Sequence, residues 1–135
     1  MGRIQSFLLG AFGYGLIELI WRGNTHIAMA VCGGAGFCAL RLINRHTRGL
    51  PPLVSAVGAA IIISAIELIG GVICNLLLGL DIWDYSEIPF NLLGQVCATY
   101  FCLWILLCGV ILDIMKRVPV RAASCISCSH SNVSS

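Results

Sequence analysis

LVSAVGAAIIISAIELIGGVICNLLLGL, residues 53–80, is an apolar run interrupted by one charged side chain, Glu67. A helix that crosses a bilayer needs about 20 predominantly apolar residues at about 1.5 Å rise each. The run exceeds that length, so it either tilts or ends near Asn75 and continues along the interface. In hydrocarbon every backbone N–H and C=O must be bonded internally, which a helix achieves within one segment. Nothing in the run alternates with the period of a barrel strand, so the expected element is a transmembrane helix.

Three further stretches of the same character lie on either side. They cover about 6–21, 26–43 and 90–115, with the central span at about 53–75. The expected fold is therefore an all-α integral membrane protein with four transmembrane helices arranged as two helical hairpins. These occupy a domain over residues 1–121. The serine-rich stretch 122–135 has no apolar period and reads as a disordered cytoplasmic tail. The apolar run after Arg3 has the outline of a signal peptide, but Glu18 lies inside it and no small-residue cleavage site follows. It reads as the first permanent span.

Composition agrees. Charged residues make up 10% of the chain, against about 25% in soluble domains, too few to coat a water-facing surface. Of the eight lysines and arginines, Arg3, Arg41, Arg45, Arg48, Lys116, Arg117 and Arg121 fall on one side of the four-span arrangement, and Arg22 alone on the other. Positive residues accumulate on the cytoplasmic side, so both termini are expected there, with Asp81, Asp84 and Glu87 outside. Cys32, Cys38, Cys74, Cys97, Cys102 and Cys108 lie within apolar runs, where cysteine acts as a small apolar residue.

The polar residues inside the spans carry the functional signal. Glu18 and Glu67 sit in nearly identical pentapeptides, Leu16–Ile20 and Ala65–Ile69, which hints at a duplicated pair of helices. A carboxylate at a span centre costs about 2.5–3.5 kcal/mol on insertion scales and is retained mainly when it has a partner. Each acid shares a helix face with small residues, Gly10, Ala11 and Gly15 (with Tyr14) for Glu18, and Ala60, Ser64, Gly70 and Gly71 for Glu67. Such faces mark close helix packing, so both acids are expected to point inward. If the fourth span starts near Phe90, Asn91 and Gln95 lie one helical turn apart at matching depth. Glu18, Glu67, Gln95, Asn91 and Arg22 then form a constellation able to hold a cation, exchange a proton or bind a polar substrate. The structural alternative pairs Glu18 with Arg22 at i,i+4 and Glu67 with Gln95 as packing glue. Gly33, Gly34 and Gly36 offer a face suited to self-association.

Soluble catalysis is not indicated. The chain has no phosphate-cradling glycine loop, no Ser/His/Asp set and no metal-ligand pair on one helix, so neither enzyme activity nor a cofactor is expected. Cys125, Cys128 and His130 supply three potential ligands without a second motif and read as incidental. No basic surface for nucleic acid is present; the expected surroundings are lipid.

The string Glu67-Leu68-Ile69-Gly70-Gly71, then Asn75, then Trp83-Asp84-Tyr85-Ser86, then Pro89-Phe90-Asn91-Leu92-Leu93-Gly94-Gln95, resembles a bacterial ABC-transporter type IV membrane family. Glu18 with Trp21-Arg22-Gly23 resembles that family's first span, and the resemblance covers roughly Phe7 to Asp113. It implies a multi-pass transporter or permease component of the bacterial cytoplasmic membrane, working with a separate ATPase and a second membrane subunit. Asn24-Thr25-His26 stands where longer members carry a Gly- and Pro-rich stretch. Two other readings stay open: a standalone proton-coupled small exporter, and a non-transporting scaffold or regulator whose acids are structural.

Overall fold

The computed structural model describes residues 2–118. The tail expectation, with Cys125, Cys128 and His130, lies outside them. Four α-helices follow in order: α1 Arg3–Arg22, α2 Ile27–His46, α3 Pro52–Gly71 and α4 Ala98–Arg117. Each has 20 residues, about 30 Å of helix, matching the bilayer core. All four are long and apolar enough to cross a membrane.

Their ends follow local chemistry. Gly23 takes a left-handed conformation (φ 76°) and its N–H bonds to the Leu19 carbonyl, closing α1. The His26 side chain accepts from the Ala28 N–H and caps α2. Pro52 begins α3, a position where its missing N–H costs nothing. Past Gly71 the central span continues as a π-helical segment, Val72–Leu77, with Asn75 buried within it.

The fourth span needs a correction. Its helix begins at Ala98, not near Phe90, because residues 91–97 turn back on themselves. Asn91–Leu92 (β1) and Val96–Cys97 (β2) pair antiparallel, with Asn91 opposite Cys97 and Leu92 opposite Val96. Positive φ at Phe90 (58°), Leu93 (54°) and Gly94 (67°) makes the reversal. Asn91 and Gln95 therefore do not share a helix face.

The interior is built from small and polar residues. Ser6, Gly10, Gly34, Gly36, Ser55, Ala56, Ala59 and Ala60 are buried, while Ile20 is 78% exposed and Phe12 77%. That inversion of a soluble core fits helices that meet through small faces and turn their large side chains to lipid. α1 packs on α2, α2 on α3 and α3 on α4. A methyl on Gly10 would overlap Phe37 Cβ and the Gly33 carbonyl, one on Gly33 would overlap Tyr14, and one on Gly34 would lie 2.7 Å from the Phe7 ring. A Cβ on Gly36 would lie 2.8 Å from Ile63 Cδ1. The glycines of α2 thus serve packing inside the chain instead of presenting a free association face. Leu40, Ala59, Ile63, Cys108 and Leu112 form the apolar centre shared by α2, α3 and α4.

Candidate functional site

The carboxylates lie at the ends of their helices nearest the 78–97 segment. Glu18 and Glu67 are each 5% exposed. Glu18 Oε1 accepts from Arg22 at 3.0 Å and Oε2 from Thr25 Oγ1 at 2.7 Å. Arg22 Nη2 donates to the Ile82 carbonyl at 2.9 Å, tying the end of α1 to the segment after α3. Glu18 is thus satisfied on both oxygens, and the i,i+4 pairing with Arg22 is realised.

Glu67 differs. Its Oε2 accepts from Trp104 Nε1 at 2.8 Å, and among the described residues no basic side chain pairs with it. A carboxylate offers about four acceptor positions, so most of its capacity is left over. Trp104 also stacks on Tyr14, ring centroids 5.7 Å apart, and this pair joins α4 to α1.

Gln95 does not reach Glu67, which corrects the packing-glue expectation. Its Oε1 accepts from Asn75 Nδ2 at 2.7 Å and its Nε2 donates to the Leu93 carbonyl at 3.0 Å. Asn75 also donates to the Trp83 carbonyl (2.8 Å) and accepts from the Ile82 N–H (2.8 Å), while Trp83 Nε1 donates to the Gln95 carbonyl (3.1 Å). Asn75, Trp83 and Gln95 form one buried knot.

The remaining motif residues shape the cap above that knot. Asp84 Oδ1 accepts from the Ser86 N–H (2.9 Å) and hydroxyl (2.5 Å), which hold its carboxyl below the usual aspartate range. Asn91 Nδ2 donates to the Ser86 and Ile88 carbonyls, both just before Pro89, and its Oδ1 accepts from the Gly94 N–H. The Tyr85 N–H bonds to the Gly94 carbonyl at 2.7 Å, and a Cβ on Gly94 would lie 2.8 Å from Asp84 Oδ1. The Tyr85 ring stacks on Tyr100, centroids 4.6 Å apart. Burial, with the Glu67 charge adding to it, pushes the Tyr85 hydroxyl pKa up.

Two cavities open around these groups. One, about 710 Å³, is lined by Glu18, Arg22 and Trp21 of α1, Glu67 of α3, Trp83, Asp84, Tyr85 and Ile88 of the cap, and Tyr100 and Trp104 of α4. The other, about 400 Å³, continues along apolar walls of α1, α2, α3 and α4, including Leu9, Phe37, Leu40, Ile63 and Met115. Tyr14, Trp104 and Glu67 line both. Of the five expected site residues, Glu18, Glu67 and Arg22 share the larger cavity, whereas Gln95 and Asn91 hold the cap together.

A family model described as Putative ABC-transporter type IV matches residues 6–134. The chain belongs to this family. The match runs past Asp113 into the tail, beyond the span of the resemblance seen in the sequence. No curated protein and no solved structure matches the chain. In this member of the type IV family, the Trp-Asp-Tyr-Ser and Pro-x-Asn-x-x-Gly residues act as a cap scaffold, with the cavity beneath them.

Thr25, Tyr100 and Trp104 are the residues sequence reasoning missed, while Tyr14 is on the face it assigns to Glu18. Trp104 left a usable signal: a tryptophan deep in an apolar span has an indole N–H that needs an acceptor. Glu67 is the acceptor it finds.

Proposed function

We propose that the chain is the membrane-embedded component of a transporter and that it receives its cargo in the larger cavity, against Glu67. One observation carries this reading: Glu67 is a buried carboxylate with a single hydrogen-bond donor among the described residues, facing a space of about 710 Å³. Intramembrane ionisable groups commonly mark substrate or ion pathways. Glu18, satisfied by Arg22 and Thr25, has a structural role here, which is the part of the scaffold reading that its bonds favour.

In this reading the four helices form two hairpins in the bacterial cytoplasmic membrane. Both termini are cytoplasmic, as the distribution of lysine and arginine favours. The cap then faces outward. The chain carries out no covalent chemistry itself, and energy comes from a separate ATPase, with a second membrane subunit completing the path.

The test is purification from native membranes in mild detergent, with mass spectrometry of what stays bound. A stoichiometric ATPase is expected. A clean homo-oligomer without one would sink the ABC arrangement. Loss of a transport phenotype in Glu67→Gln with unchanged folding would then point to proton-coupled export, and an unstable but active variant to a scaffold.

A further inference from the structure

The lining of the larger cavity says what kind of molecule it accepts, provided that this cavity is the cargo site. We propose that it binds a lipophilic organic cation, a monovalent onium centre carrying apolar or aromatic groups. At about 710 Å³ it has the size of a site for a drug-sized ligand. Tyr14, Trp83, Tyr85, Tyr100 and Trp104 contribute to its walls, together with Glu67. Both Trp83 and Trp104 have their indole N–H groups engaged within the protein, by the Gln95 carbonyl and by Glu67. They therefore offer the ligand aromatic surface in place of hydrogen-bond donors. Aromatic surface beside a carboxylate suits a quaternary onium cation, which has no N–H to donate and is held by ring faces and by the opposite charge.

Charge points the same way. The one basic side chain on the described wall, Arg22, is held by Glu18 and by the Ile82 carbonyl, which leaves an anion no obvious counter-ion. Glu67 has no basic partner among the described residues, and Asp84, at the cap, is a second lining carboxylate without one. The second cavity, which shares Tyr14, Trp104 and Glu67, extends along apolar walls that suit the hydrocarbon part of such a ligand. A hydrophilic cation would leave those walls unmatched, and a neutral amphiphile would bring no charge opposite the carboxylates of the lining.

The experiment is equilibrium binding of radiolabelled tetraphenylphosphonium to the purified full chain in nanodiscs, with empty nanodiscs subtracted. Tetraphenylborate, of the same shape and opposite charge, and neutral triphenylphosphine oxide are measured alongside. Saturable binding of the phosphonium alone is expected, weakened about tenfold or more by Glu67→Gln, the loss that follows from removing a contact with one charge. Tyr100→Leu should weaken it as well while leaving the Glu67–Trp104 bond intact, which keeps the test open if Glu67→Gln fails to fold. Equal affinity for the borate or the oxide, or phosphonium binding insensitive to both substitutions, overturns the cation assignment. If the oxide or borate binds and Glu67→Gln abolishes it, the cargo cavity stands and only the ligand class falls. Absence of saturable binding of all three overturns both.

Discussion

Trp104 donates its indole N–H to Glu67 across α4 and α3, with Nε1 2.8 Å from Oε2. Replacing one partner leaves a buried polar group unmet, which costs about 1–3 kcal/mol, whereas replacing both by apolar groups is nearly neutral. Trp104→Phe is expected to lower stability in detergent by that amount. The double change Trp104→Phe with Glu67→Leu should recover most of it. Equal stability of Trp104→Phe and wild type in reversible unfolding would count against the bond.

Gly94 has a positive φ (67°), and a Cβ there would lie 2.8 Å from Asp84 Oδ1. Gly94→Ala is expected to cost about 1–2 kcal/mol from the left-handed backbone alone, and more from the collision with Asp84. Gly58→Ala is the control: it lies within α3 with open space around its Cβ position, and alanine there should be neutral or stabilise by about 0.5–1 kcal/mol. Matching midpoints for the two variants in thermal unfolding would refute the cap geometry.

Gly10 and Gly13 separate packing from propensity on α1. A methyl on Gly10 overlaps α2, while one on Gly13 meets nothing within 4 Å. Gly10→Ala should destabilise by about 1–3 kcal/mol, as overpacking does, and Gly13→Ala should not. Cross-linking between cysteines placed on α1 and α2 would report whether the helices separate.

The bonds from Ser86 lower the Asp84 pKa, so the folded cap binds that proton less readily than the unfolded chain. Its contribution is therefore fully present above the ordinary aspartate value of about 3.9 and is lost as pH falls through the lowered folded value. The Ser86 amide resonance should titrate with a midpoint below about 3.9. A midpoint at or above that value contradicts the bond.

Much of the bundle was legible because its signals are local. Apolar length marks the four helices, and Glu18 and Arg22 are four residues apart on one helix, so their pairing follows from helical geometry. The cap was not legible. Residues 90–97 are apolar enough to pass for the start of a span, and what turns them into a hairpin is distant: Asn75 holds Gln95 and Trp83 from another element. The positive φ at Phe90 and Leu93 has no sequence marker, since neither residue favours it. For the same reason the sequence leaves Glu67 open as a partner for Gln95: the actual partner, Asn75, comes from a π-helical turn whose register the sequence does not announce.

Arg22 grips two things at once, the Glu18 carboxylate on its own helix and the Ile82 carbonyl at the foot of the cap. A single guanidinium with two obligations works as a mechanical linkage. Swinging Arg22 off Ile82 removes one tie between the cap and α1, and drawing Glu18 away loosens the same arm. The ceiling of the cavity and one of its walls are therefore not independent parts, and a displacement of either is transmitted to the other through one side chain.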